Sequence, residues 1–346
     1  MSEGKEINIV LVGCGGMASK YRKKYTMIPG ARLALVIDSN EEIAKAAADE
    51  LGVPQWSTDF KDALAPEHDI VDISTPNFLH AEQAIAALQA GKHVLLQKPI
   101  APTVEEAQAI LEAASESGKK AGMYMSMFDL PLYYEVKKIL DKGLLGSISN
   151  VYCRGAHRGG LKSTPGNWRS SLEKTGGGAF IQLTIHFFDM AQWLLNDRIV
   201  KVSAFSKNMM CPNIGGDDVT VAVCEFRSGV PGTLEASYSS DPNILAIYGT
   251  KGFISIIDDY KLDIKLDEAY AGELFSYDKP RDIETYRFSK PGDGNPYDQH
   301  MAFVKAIQED KPVQIPLEVG LYDLKVVKAV YKSSEERRIV EVSEIK

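Results

Sequence analysis

The chain has 346 residues, too many for one ordinary hydrophobic core, so two domains are expected. Hydrophobic residues make up 45% and charged residues 25%, the balance of a soluble globular protein. The formal charge is −8, from 39 Lys+Arg against 47 Asp+Glu, with no basic stripe, which argues against nucleic acid or any broad polyanion as partner. The apolar run after the polar N-terminus, Ile7 to Val12, is far too short to span a bilayer. The four cysteines (Cys14, Cys153, Cys211, Cys224) form no C-x-x-C pair, and the six histidines lack metal-ligand spacing. Reduced thiols, a cytoplasmic location and no metal are therefore expected.

The first third alternates strand and helix patterns. Ile7–Val12 is a short apolar run suited to a strand buried on both faces, and 32–38, 69–74, 93–96 and 121–125 repeat it. Between them, Ser39 with Glu42 predicts a capping box closed by Gly52, and Thr103 with Glu106 predicts another closed by Gly118. Gly91 closes a helix that begins near His80. Such alternation gives parallel strands joined by right-handed crossovers. After residue 127 the pattern changes. A helix over 133–142 precedes a strand over 148–154, then a loop rich in Gly, Ser and Pro, then a helix over 179–195. From Val200 to about Phe288 short strands dominate, and helices over 297–308 and 318–333 close the chain. The fold class is α/β: a doubly wound parallel sheet over 1–126, then an α+β domain over 127–346 with a large, mainly antiparallel open sheet. The C-terminal helices are free to pack back on the first domain.

Gly13-Cys14-Gly15-Gly16-Met17-Ala18 fits G-x-G-x-x-A directly after the first strand. Gly13 permits the tight turn, Gly15 lets the backbone approach a pyrophosphate, and Ala18 allows close helix–strand packing. The following helix N-terminus offers free amide donors to phosphate. Cys14 sits where a helix N-terminus can lower a thiol pKa, although a small residue filling space is the plainer account. Asp38 ends the next strand 22 residues beyond Gly16. A carboxylate there can accept bonds from both ribose hydroxyls and repels a 2′-phosphate, which favours NAD over NADP. The competing reading of Asp38 is a turn residue ahead of the helix cap.

Three further stretches complete a pattern: Thr75-Pro76-Asn77 with His80, then Gln97-Lys98-Pro99, then Gly176-Gly177-Gly178 leading to His186 and Asp189. Together with the fingerprint they resemble the Gfo/Idh/MocA family, named for glucose–fructose oxidoreductase, inositol dehydrogenase and rhizopine catabolism. The resemblance covers nearly the whole chain. It implies hydride transfer between NAD(H) and a carbinol or carbonyl carbon of a sugar, cyclic polyol or sugar acid. It also implies a homodimer or homotetramer formed through the C-terminal sheet. Beyond the fingerprint residues, it brings Thr75, Pro76, Asn77, His80, Gln97, Lys98, Trp168 and Arg169 into the cofactor-contacting set.

By that resemblance Lys98 lies beside the nicotinamide and the reacting carbon. Burial near a cationic ring lowers a lysine's pKa and suits it to proton relay; a solvated lysine before proline is the competing reading. Pro99 restricts the backbone before it, and its cis or trans state stays open. His186 is implied as the second proton-handling group, against a core histidine satisfied by backbone. Gln182, His186 and Asp189 are spaced to share a helix face. Gln182 and Arg169 are the implied substrate-positioning groups, with a rim salt bridge as the competing reading for Arg169. Asp189 reads as structural, pairing with an arginine or capping a neighbour. His80, His93 and His300 are given no catalytic role.

Two departures matter. Gln97 stands where the family has Glu, and Gln182 where it usually has Asp, so neither can act as a base. Met125-Ser126-Met127-Phe128 replaces an arginine-containing segment with an apolar one. The departures keep a second enzyme class open: tightly bound NAD that is transiently reduced and reoxidised during elimination or isomerisation. A non-catalytic NAD sensor is the third reading, and Lys98 and His186 argue against it.

Overall fold

Residues 6–259, 261–266 and 297–346 are described by a computed structural model. The chain forms two compact units, residues 6–125 with 297–321, and residues 126–266 with 322–346. The part of the expected strand-rich stretch beyond residue 266 lies outside the described residues.

The first unit holds a six-stranded, wholly parallel sheet. Its strands are β1 (Ile7–Val12), β2 (Ala31–Ile37), β3 (Trp56–Ser57), β4 (Ile70–Ile73), β5 (His93–Gln97) and β6 (Ala121–Tyr124). Their order is β3-β2-β1-β4-β5-β6, so the strand order reverses between β1 and β4. At such a switch point the crevice beyond the carboxyl ends collects ligands. The central strands are apolar without alternation because helices cover both faces; every residue of β4 is buried. The edge strand β3 is two residues long and carried no sequence signal of that kind.

The helices explain their own ends. In α2 (Glu41–Leu51) the cap is Asn40, not Ser39: the Asn40 carbonyl oxygen accepts from Glu42 and Ile43 N–H, and Gly52 closes the helix at φ +65°. Ser39 is displaced because Asp38 accepts the Asn40 N–H and starts the turn one residue later. The helix α3 (His80–Gln89) is followed by Gly91 at φ +75°. In α4 (Val104–Ser117) Thr103 and Glu106 make both arms of a capping box before Gly118. The late helix α8 (Gln299–Gln308) joins this unit, with Phe303 and Val304 in one core cluster with Ile9, Leu11, Val36 and Ile70. His300 is inserted among Tyr21, Tyr25 and Tyr124, with ring centroids 4.6–5.1 Å apart, and its Nε2 lies 3.5 Å from Asp72 Oδ2.

The second unit is built on an eight-stranded sheet. Its strands are β7 (Ile148–Ala156), β8 (Ile199–Lys207), β9 (Val219–Phe226), β10 (Pro231–Ser237), β11 (Ile244–Gly249), β12 (Gly252–Ile257), β13 (Lys261–Leu266) and β14 (Val340–Glu341). The order is β13-β12-β11-β7-β10-β9-β8-β14, antiparallel except where β7 meets β10. One face is covered by α7 (Ile185–Leu195), against which α5 (Pro131–Asp141) packs. Alternation in β9 follows: Ala222, Cys224 and Phe226 face inward, while Val221 and Val223 are exposed.

The helix expected over 179–195 is in two parts. Phe180–Thr184 forms a π-turn, and regular α-helix begins at Ile185. The turn is wider than an α-turn, but residues four apart still fall close to one full turn, so Gln182 and His186 stay on neighbouring parts of one face.

Candidate active site

In the first unit the site begins where β1 ends. Gly13 has φ +86°, and a Cβ there would lie 2.8 Å from the Ser74 backbone carbonyl, so the β1 and β4 turns touch backbone to backbone. A Cβ on Gly15 or Gly16 would meet nothing within 4 Å. The loop is open above, as a pyrophosphate would need, and Met17 is half exposed beside it while Ala18 is buried beneath. Cys14 is sealed in. Burial, then the Asp38 charge, push its thiol up to about 12, so the lowered-pKa reading fails and the packing reading stands. Asp38 Oδ2 accepts the Cys14 N–H at 2.9 Å, which places the carboxylate against the glycine loop. An open glycine turn with a carboxylate fixed beside it fits a dinucleotide, its ribose toward Asp38.

The Thr75 and Lys98 turns stand at the same sheet edge. Thr75 Oγ1 donates to Gln83 Oε1 at 2.7 Å, and Asn77 is buried beneath half-exposed Pro76. The Lys98–Pro99 bond is cis, and Lys98 is only 9% exposed. Gln97 turns inward. Its carbonyl oxygen accepts the Lys98 N–H at 3.1 Å, and its side chain lies beside the Tyr21 hydroxyl, which bonds Ser74 at 2.6 Å. His80 is wholly buried, with both ring nitrogens on backbone carbonyl oxygens. That leaves no ring edge for direct contact with a cofactor, contrary to its place in the expected set.

In the second unit the triple glycine turns out to be a packing device. A Cβ on Gly178 would lie 1.9 Å from the Asp217 carbonyl oxygen, so the two backbones pass too closely for any side chain. Asp217 fastens the turn: Oδ1 accepts from Gly178 N–H and the Tyr331 hydroxyl, Oδ2 from Phe180 N–H and the Thr220 hydroxyl, all within 2.7–3.0 Å. This carboxylate sits at the start of the segment that carries Gln182 and His186. Sequence reading missed it, since Asp217 lies 39 residues from Gly178. Gln182 is buried and His186 half-buried. Arg169, in a short turn capped by Asn167, stacks on the neighbouring Trp168 ring at 4.4 Å and makes no rim salt bridge among the described residues; its carbonyl accepts from Gly215. The Met127 and Phe128 side chains are core, with Phe128 5.2 Å from the Trp193 ring.

Among the described residues Asp189 makes no ion pair with an arginine and caps no neighbour. It faces Asp323, on α9 (Leu317–Glu336), whose Oδ1 accepts from Gln192 at 2.9 Å. Burial pushes Asp189 up to about 7, eased by Asp323 and by the charge of Arg198; burial and the Asp189 charge raise Asp323. An acid with a raised folded pKa holds its proton longer in the native state. Its stabilising contribution is therefore present at low pH and lost as pH rises from about 4 through 7. Asp189→Asn supplies an N–H donor to Asp323 at any pH. It is expected to flatten the loss of melting temperature between pH 5 and 8 and to raise Tm at pH 8 by about 2–5 °C. Parallel pH profiles for the two proteins, followed by circular dichroism, would discard this account.

A family model described as an oxidoreductase family with an NAD-binding Rossmann fold matches residues 7–125. The same family's C-terminal alpha/beta domain matches residues 137–342. The chain belongs to the Gfo/Idh/MocA oxidoreductase family. Among its relatives is a scyllo-inositol 2-dehydrogenase (NAD(+)) of Bacillus subtilis, 32% identical over 72% of this chain and 74% of that one. A levoglucosan dehydrogenase of Pseudarthrobacter phenanthrenivorans is 26% identical over 88% of this chain and 85% of that one. A solved WlbA dehydrogenase from Bordetella pertussis, in complex with NADH and UDP-GlcNAcA, superposes with a TM-score of 0.83 at 25% identity, covering 97% and 98% of the two chains. Within this family frame the parallel sheet, the glycine turn and the antiparallel second sheet all take their expected places.

Proposed function

We propose that the chain is a dehydrogenase that oxidises a secondary hydroxyl of a sugar, cyclic polyol or sugar acid with NAD, or reduces the matching carbonyl. One observation carries the reading. The open glycine turn, the Asp38 carboxylate and Lys98 all stand at the C-terminal edge of adjoining parallel strands. The relatives act on an inositol and on levoglucosan, which supports a polyhydroxylated substrate.

When bound, NAD supplies the hydride acceptor. The residues supply the rest. Gly13, Gly15, Gly16, Met17 and Ala18 cradle the pyrophosphate, and Asp38 accepts from the adenosine ribose and disfavours a 2′-phosphate. By the family resemblance Thr75, Pro76, Asn77 and Gln97 of the first unit, and Trp168 and Arg169 of the second, would also contact the cofactor. Lys98 and His186 share removal of the proton that leaves the substrate hydroxyl. Gln182 and Arg169 hold other hydroxyls or an acidic group, since a polar substrate with little apolar area is selected by its hydrogen bonds.

The test is absorbance at 340 nm during a panel of polyols, sugars and sugar acids, with consumption followed by mass spectrometry. Stoichiometric NADH with one substrate class supports the dehydrogenase. Consumption without net NADH supports transient hydride recycling, the second reading, which the two neutral glutamines at acid positions favour. NAD binding with nothing consumed leaves a sensor.

The protein is further proposed to work as a cytoplasmic homo-oligomer. Its four cysteines are buried and free, which suits a reducing compartment. On the sheet face opposite α7, Phe205 is 75% exposed among the described residues, opposite Val221 and with Val223 beside it. An apolar strip of that kind is suited to a second copy of the same strip. Phe205→Lys is expected to shift the species seen by size-exclusion light scattering to the monomer, with melting temperature within about 2 °C. An unchanged mass would move the interface elsewhere.

A further inference from the structure

We infer that His80 is a positioning residue: it clasps the Thr75 turn to the Lys98–Pro99 turn and so sets where Lys98 stands. The inference rests on the assignment of Lys98 made above. His80 opens α3 and is 0% exposed. Its Nδ1 lies 2.8 Å from the Pro99 carbonyl oxygen and its Nε2 lies 2.9 Å from the Thr75 carbonyl oxygen. One ring thus spans the turns that follow β4 and β5. On its other side the Thr75 turn is wedged against Gly13, where a Cβ would lie 2.9 Å from Thr75 N. The Thr75 hydroxyl bond to Gln83 ties the same turn to α3. Glycine loop, Thr75 turn, imidazole and Lys98 turn therefore form one contiguous chain of contacts.

Only the ring can donate in these contacts, because both partners are carbonyl oxygens. A neutral imidazole carries one N–H and makes one bond at a time. The imidazolium would make both, but burial, with a smaller effect from the Lys98 charge, lowers the His80 pKa against that form. The ring acts as a one-proton bridge between two acceptors, and a side chain without a donor would deprive both carbonyls of it. Misplacement of Lys98 by about 1 Å is enough to lose much of its effect.

The experiment compares wild type, His80→Phe and His80→Gln. Readouts are thermal unfolding, NADH affinity by fluorescence, and the pH midpoint of Lys98 reductive methylation, read by peptide mass spectrometry. In His80→Phe we expect a folded protein with Tm lower by about 3–8 °C. NADH binding should weaken about tenfold and the Lys98 midpoint should move by at least about half a pH unit. His80→Gln, which keeps one N–H donor, should recover part of both. A folded Phe variant with NADH affinity within about twofold and an unmoved Lys98 midpoint overturns the inference and leaves His80 a packing residue. If the Phe variant does not fold, the Gln variant decides by the same two readouts: both moved toward the expected change supports the clasp, both at wild-type values overturns it. None of these readouts needs a sugar, so a panel that yields no substrate sinks the dehydrogenase reading without touching this one. Wild-type protein that binds no NADH sinks the cofactor assignment, and the Lys98 midpoint then judges the clasp alone.

Discussion

Lys98→Ala is expected to lower kcat for hydroxyl oxidation by about 10²–10⁴-fold, the range that a positioned proton acceptor contributes. The variant should still fold, because Lys98 lies in the turn after β5 and outside the strands and helices. Lys98→Arg should not rescue. A guanidinium keeps its proton at any working pH, so it preserves charge but cannot accept. The pair of variants separates two roles for Lys98: if it only attracted the substrate by charge, the arginine enzyme would regain most of the activity. Steady-state rates at 340 nm between pH 6 and 10 check this. In wild type the rate should climb with pH as the amine deprotonates, and both variants should lose that limb. An alanine variant within about threefold of wild-type kcat would remove Lys98 from the chemistry.

Much of the fold that carries this site was legible before any coordinates. The strands of the parallel sheet are short, apolar and unalternating because they are covered on both faces, and β1 begins and ends where that pattern does. The turn glycines are equally plain, since Gly13, Gly52 and Gly118 take positive φ that few other residues tolerate. What stayed hidden depended on long-range partners. The choice of Asn40 over Ser39 as cap is decided by Asp38, whose carboxylate bonds both the glycine loop and the turn ahead of α2. The π-turn over Phe180–Thr184 leaves no mark in periodicity, because its apolar residues are buried all round. Asp189 gave no sign that its neighbour would be another acid, Asp323, far along the chain on α9.

The same logic accounts for one departure from the family pattern. The Tyr21 hydroxyl is flanked by Gln97 and by Asp72, which is fully buried and raised in pKa by that burial. A glutamate at 97 would place two carboxyls around one buried phenol. Like charges there would force one of them to remain protonated. The neutral amide avoids this and still receives the Lys98 N–H, so the turn keeps its shape without the second acid.

Asp217→Ala should have the largest effect on stability. The carboxylate accepts bonds from two backbone N–H groups at the start of the π-turn and from the Tyr331 and Thr220 hydroxyls, all of them in or near the interior. Alanine leaves those donors without their acceptor in a place where Gly178 already touches backbone, so water has little room to replace it. The expected loss is about 3–5 kcal/mol, or about 8–15 °C in Tm. Asn should recover little, because its amide nitrogen would confront one of the backbone N–H groups donor to donor. Activity should fall further than stability alone explains, since Asp217 secures the segment leading to Gln182 and His186. NADH affinity should largely hold at temperatures where the variant is folded, because most of the proposed cofactor-contacting residues, the glycine turn, Asp38 and Lys98 among them, are in the other unit. Calorimetry with NADH titration separates the outcomes: a Tm within about 2 °C of wild type would mean that the Asp217 bonds contribute little net stability, and a parallel loss of NADH binding would mean that its influence is not confined to its own unit.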